Sequence, residues 1–223
     1  SKSVFGHRYR YMPPKNVVQM LTGLVDDYGI KDITFYDDEF TIDQERATYL
    51  CDAIIDSGLD ITFTCESRVD SLSLPLLALL KDAGCRLIYF GIESGNQSIL
   101  NSLNKHINLQ QVRDTVAMTQ LAGIQAAGYF MFGAPGETKE TIKQTIDFSR
   151  SLHLDHAQFS ICSPMPGSKL FDIYTRTHEV KNWNEFQYLS KANKVMFTTD
   201  ELPADYLEKV TEEANAFYYE AVK

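Results

Sequence analysis

The chain has few cysteines and none in a metal-binding spacing. Cys51, Cys65, Cys85 and Cys162 lie far apart and form neither CxxC nor CxxxCxxC. Sequence-close thiolates therefore cannot gather a zinc ion or an iron–sulfur cluster here, and these residues read as small buried thiols in a reducing compartment. The five histidines make no HExxH, which argues against a zinc hydrolase. No apolar run approaches the roughly 20 residues that a membrane helix needs, and no signal peptide opens the chain. The chain thus reads as cytoplasmic, without a membrane partner. A positive excess is also missing. The net charge is −9, whereas nonspecific nucleic-acid binding needs a basic footprint.

What remains is 223 residues, 44% of them hydrophobic, enough for one domain with a sizeable core. After a basic, aromatic start (SKSVFGHRYRYMPP) the chain settles into a rhythm. PPKNVVQMLTGLVDDYG predicts a helix that begins at prolines and stops before Gly29. KDITFYDD predicts a strand, DQERATYLCDAIIDSG a helix, ITFTCESR a strand, and LSLPLLALLKDAG a helix. RLIYFGIES, IQAAGYFMFG and HAQFSIC predict three further strands. A two-part helical stretch and TKETIKQTIDFSRSLH separate them.

Strands recurring about every 30 residues with helices between them imply a parallel sheet. No GxGxxG or P-loop follows any strand. The informative residues sit instead at the C-terminal ends of several strands, as in βα barrels. The fold class expected is α/β, a partial (open) TIM-type barrel with five recognisable parallel strands. Period-two alternation sends Ile33, Phe35, Ile61, Phe63, Ile88, Phe90, Ile92, Ala157, Phe159 and Ile161 towards the helices. Thr34, Tyr36, Asp38, Thr62, Thr64, Glu66, Arg68, Tyr89, Glu93, Gln158 and Ser160 face the other way. An interior this polar implies a cavity that holds something, because unpaired buried polar groups are costly. Five strands do not close an eight-stranded barrel, and SKSVFG reads as a loop already under way. Both favour a piece of a longer protein.

Four strand ends carry candidate chemistry. Asp37 and Asp38 in FYDDEF could bind an ammonium group or a metal, or form a capping turn before DQER. Arg68 in CESRVD could grip a ligand carboxylate or neutralise Glu66. Glu93 in GIESG lies between two glycines that give a ligand access to the backbone, and suits two ribose hydroxyls. MFGAPGET exposes backbone that could read the edge of a flat base, or is a turn capped by Thr138. No residue stands out as a general acid or base, and none is expected to ligate a metal.

In this order, FYDDEF, GIESGNQ, MFGAPGET and SPMPGSKLF resemble the radical S-adenosylmethionine (radical SAM) superfamily over about residues 5–175. The likeness is greatest to the branch that carries a cobalamin-binding domain ahead of the barrel. The resemblance implies SAM contacts from Asp37 and Asp38 to the methionine amino group and from Glu93 and Ser94 to the ribose. It places Tyr129, Phe132, Gly133 and Ala134 at the adenine, with Arg68 and Met165 lining the same mouth. It also implies a 4Fe-4S cluster whose CxxxCxxC loop is absent here, so that Ser1 falls just downstream of that loop and this chain alone binds no cluster.

Residues 1–178 are then the barrel core without its first strand and cluster loop, and residues 179–223 a connector and helix. The parent would cleave SAM to a 5′-deoxyadenosyl radical for hydrogen abstraction or methyl transfer. Its implied partners are a small-molecule substrate and an electron donor such as flavodoxin or ferredoxin. The alternatives are a cluster-free barrel binding a nucleoside-like ligand, or another subgroup such as a methylthiotransferase or porphyrinogen oxidase.

Overall fold

Proline, glycine and short polar side chains mark the element boundaries in the computed structural model, which describes residues 10–176, 179–180, 183, 195 and 198–220. Helix α1 (Pro14–Tyr28) starts behind Pro13, and α2 (Gln44–Ser57) starts where the Asp43 carboxylate accepts from Arg46 N. Ser73 caps α3 (Leu74–Asp82) in the same way. The two-part stretch is α4 (Gln97–Ser102) and α5 (Leu109–Leu121), the second opened by an Asn108–Gln111 capping box. Thr138 and Thr141 form the box of α6 (Lys139–Ser151). Each such cap contributes about 1 kcal/mol by satisfying amides that the first turn leaves open. Two more helices follow, α7 (Lys169–Thr175) and α8 (Ala204–Glu220).

Five parallel strands alternate with these helices: β1 (Asp32–Thr34), β2 (Thr62–Ser67), β3 (Cys85–Glu93), β4 (Gln125–Phe132) and β5 (His156–Ile161). Their order in the sheet is their order in the chain, β1-β2-β3-β4-β5, giving an open α/β half-barrel. The register pairs Ile33 with Phe63, Cys65 with Ile88, Phe90 with Gly128 and Phe130 with Phe159. The apolar face foreseen by alternation is the core. Phe63, Ile88, Phe90 and Ile92 are fully buried with Leu50, Leu77, Leu80 and Val112 from the helices, while Ile33 and Phe35 are partly buried against them. The four cysteines are free and buried.

Two strands end earlier than alternation suggests. β1 stops at Thr34, because Phe40, fully buried beside Phe35 and Phe63, draws the chain across the end of β2, and Phe40 N donates to Glu66 O. Asp37 and Asp38 thus sit on a loop rather than on a strand face. β2 stops at Ser67, which leaves Arg68 in the loop that follows.

At the far edge, α8 packs on β5. Asn215 accepts from Phe159 N and donates to Phe159 O, both at 2.9 Å, so one side-chain amide takes the place of a neighbouring strand. Most of the polar connector between α7 and α8, and the His7–Tyr9 part of the aromatic start, lie outside the described residues. Among the described residues, no helix is long and apolar enough to cross a membrane.

Candidate functional site

The C-terminal end of β3 departs most from regular geometry. The ladder with β4 shifts between Gly91 and Glu93, and Glu93 has φ 71°, a left-handed conformation that a non-glycine residue adopts at a cost of roughly 1–3 kcal/mol. The turn aims the carboxylate at the mouth, where Glu93 Oε1 lies 2.8 Å from Lys105 Nζ. The same ammonium approaches the Gly91 carbonyl at 3.4 Å. A Cβ on Gly91 would meet Glu93 Oε1 at 3.3 Å and Lys105 Nζ at 3.4 Å, so the missing side chain makes room for this ion pair.

Gly95 has a different reason. A Cβ there would stand 2.5 Å from Phe148 Cβ and 2.8 Å from Thr145 Cα, so this glycine lets α6 pack against the strand end. It gives no ligand access, contrary to the reading from sequence. Ser94 belongs to the same fastening. It is fully buried, its hydroxyl shares a hydrogen bond with Thr145 Oγ1 at 3.1 Å, and Asn96 N donates to it. Gly95 N also donates to Thr145 Oγ1. Glu93 and Ser94 therefore point to opposite sides of the backbone.

At β4, Tyr129 faces the polar side and its hydroxyl donates to Glu66 Oε1 at 3.1 Å. Its ring stacks on Tyr89 with centroids 4.9 Å apart. Phe132 is fully buried and stacks on Phe159, so its ring belongs to the core and not to the mouth. Beyond it, the buried Glu137 folds back to accept from Gly133 N at 2.6 Å and Ala134 N at 3.1 Å. Burial pushes the Glu137 carboxyl up to about 7, although both amides favour its charged form. These amides are committed to Glu137, and Ala134 O in turn accepts from Glu137 N at 3.0 Å, so the loop is closed on its own glutamate.

Towards β1, Asp37 lies 3.5 Å from the buried Arg46, and Asp38 is exposed. Neither caps α2, which leaves Asp43 that role. Arg68 does not reach for Glu66. Its Nε and Nη2 both donate to Asp70 at 2.7 Å, with Glu39 at 3.7 Å, and this bidentate pair holds the Asp70 carboxyl below its ordinary range. Met165 is half-buried in the turn after β5.

The sequence reading missed Lys105 and Glu137. Lys105 sits in the aperiodic polar run NKHIN, which carries no signal for contact with a residue twelve positions earlier. Glu137 was visible in GAPGE but read as part of a turn. Among the described residues, no group of three or more His, Cys, Asp or Glu side chains is placed to hold a metal ion.

A parallel half-barrel whose polar groups converge at the strand ends agrees with what the family comparison finds. The radical SAM superfamily matches residues 2–149, and the chain belongs to that superfamily. An uncharacterized methyltransferase of Pyrococcus horikoshii is 36% identical over 92% of this chain and 45% of its own length. An anaerobic magnesium-protoporphyrin IX monomethyl ester cyclase of Rubrivivax gelatinosus is 26% identical over 85% of this chain and 35% of its own. The chain thus spans less than half the length of these relatives. Among solved structures, the radical SAM methyltransferase TsrM of Kitasatospora setae, with cobalamin and a [4Fe-4S] cluster bound, shares the fold. It has a TM-score of 0.62 and 22% identity, covering 70% of this chain and 29% of that one.

Proposed function

We propose that this chain is the barrel core of a longer radical SAM enzyme and that its mouth holds SAM. One observation carries the reading: Glu93 is kept at φ 71° on a bulged strand end with its carboxylate turned outward. Strain of this kind persists where the surrounding fold enforces it, and it collects at functional sites. The groups present suit the cofactor. Glu93 accepts the ribose hydroxyls at the strand end that Gly91 keeps free of a side chain. The Gly133–Ala134 loop, held rigid by Glu137, borders the adenine. Asp37 and Asp38 border the methionine ammonium, and Met165 closes the far side.

Lys105 supplies the cation for the methionine carboxylate, a role that Arg68 has given up to Asp70. Ser94 acts by fixing the strand end on α6, and Phe132 by packing beneath the loop. In this reading the cysteines of the 4Fe-4S cluster belong to the parent protein, as the family resemblance implies. SAM bound beside such a cluster supplies radical chemistry by one-electron reductive cleavage. This chain's part is to bind and orient.

Residues 1–178 form the core in this reading, and residues 179–223 a connector and a helix laid against the sheet. The parent is a cytoplasmic enzyme that acts on a small molecule by hydrogen abstraction or methyl transfer. It draws electrons from a flavodoxin- or ferredoxin-like donor and has a cobalamin-binding domain ahead of the barrel. A relative named as a methyltransferase supports methyl transfer, and buried free thiols agree with a reducing compartment.

The test is Glu93→Gln in the reconstituted full-length enzyme, with SAM titrated against the cluster spectrum. The amide keeps the shape and removes the charge-assisted acceptor. SAM affinity is expected to fall about tenfold while the cluster still assembles, in line with one charged hydrogen bond. Unchanged affinity would overturn the ribose assignment.

A further inference from the structure

The concave polar face holds a second feature, into which Tyr129, placed at the adenine by the resemblance, turns its hydroxyl towards Glu66. A cavity of about 240 Å³ opens between β1 and β4, with Glu66, Thr64, Tyr89, Tyr129 and Arg86 in its wall. That is below the usual 300–1,000 Å³ of a site for a whole drug-sized ligand, and large enough for one ring or one planar group.

Its polar lining is incomplete. Glu66 is half-buried, and its one side-chain hydrogen bond among the described residues comes from the Tyr129 hydroxyl. Among the described residues no cation pairs with it. Burial and the neighbouring Asp38 both oppose its charge and raise its pKa, and only the Tyr129 bond works the other way. Thr64, one pleat below on the same face and about 7 Å along the strand, is 6% exposed. Its hydroxyl is buried with no hydrogen-bond partner among the described residues. An orphaned buried hydroxyl ordinarily costs about 1–3 kcal/mol, so a donor or acceptor is missing at this place.

Arg86 does not supply it. Its Nε and Nη2 are committed to Asp32 at 3.0 and 3.1 Å. The remaining wall is aromatic. Tyr89 and Tyr129 stack on each other with an interplanar angle of 16°, and their π faces attract cations. In such a wall the Arg86 charge is met by Asp32, while the Glu66 carboxylate has no cation among the described residues. The wall suits a flat group that carries positive charge and N–H donors.

We propose that this cavity is a subsite for a planar cationic nitrogen group of the substrate, one that lies against the tyrosine pair and donates N–H bonds to Glu66 and Thr64. Calling that ligand the substrate rests on the radical SAM reading of the mouth above it. The binding itself does not.

The test uses benzamidine as the planar cation and benzoate as its anionic counterpart. Both are titrated by saturation-transfer NMR into the full-length protein without SAM. Benzamidine is expected to bind at least tenfold more tightly than benzoate. Glu66→Gln should remove most of that preference, and Thr64→Val should weaken benzamidine about threefold. Equal binding of the two probes overturns the proposal, and that comparison needs no variant to fold. It is equally overturned if folded Glu66→Gln binds benzamidine as the wild type does. If Asp38→Asn removes the preference while Glu66→Gln leaves it, the cation is held by the exposed acidic loop, and the cavity assignment falls. Because the titration involves neither SAM nor a cluster, a failed Glu93→Gln test would remove the mouth assignment and leave this one standing, and the reverse also holds.

Discussion

β3 and β4 run side by side, and each ends in glycines and a glutamate, yet the two glutamates do opposite things. Glu93 stays on the strand in a strained conformation, with its carboxylate in the mouth and a half-buried lysine beside it. Glu137 sits four residues beyond Gly133 and folds back under its own loop, buried and bonded to the amides of Gly133 and Ala134. One carboxylate stands at the strand end beside Lys105, and the other braces its own loop. An acid's type and its glycine neighbours do not separate a ligand group from a brace. The direction of the side chain does.

Three perturbations sharpen this contrast. Gly95→Ala comes first, because its Cβ would enter the backbone and side chains of α6. Overpacking against atoms that cannot swing away should cost about 3 kcal/mol, and lower Tm by roughly 9 °C in a chain of this size. Thermal denaturation would measure it, and a loss under 2 °C would break the account of Gly95 as a packing glycine.

The second concerns Glu137. Its folded-state pKa of about 7 lies above the ordinary 4.5, so the folded protein binds the extra proton between these values. Stability from this group is therefore present below about pH 4.5 and lost as pH rises towards 7, on the order of 3 kcal/mol in all. Denaturant midpoints measured from pH 4.5 to 8 should show that slope in the wild type and lose it in Glu137→Gln. Parallel profiles would mean that the loop is not braced by a titrating acid.

The smallest effect has the opposite sign. Glu93→Gly removes the penalty of the left-handed conformation and should raise stability by up to about 1 kcal/mol, or a few degrees in Tm. The gain is partly offset by the greater freedom of glycine in the unfolded chain. A clear loss of stability instead would show that the Glu93–Lys105 pair serves the fold rather than a ligand.

Much of the fold was legible because it depends on local rules. Asp43, Ser73, Asn108 and Thr138 start helices because their side chains satisfy free amides. Period-two alternation assigned the core residues of β2, β3 and β5 because one sheet face must meet the helices. The site was legible as a set of strand ends and less so as a set of contacts. Arg68 was free to be paired with Glu66 on paper, since both lie near one strand end. In the folded chain β2 has ended by then, and Asp70, two residues on, offers both carboxylate oxygens.

The sequence by itself determined the βα rhythm, the polar inner face, and the superfamily through FYDDEF, GIESG and MFGAPGE. These depend on residue type, spacing and order along the chain. Tertiary structure alone decided that Glu93 and Ser94 diverge, that Lys105 meets Glu93, that Phe132 is core, and that Glu66 lies under Tyr129 near Thr64, whose hydroxyl has no hydrogen-bond partner among the described residues. Each of these rests on a bulge, a crossover or a contact between different strands. Such distances are set by how whole elements pack, and no local pattern encodes them.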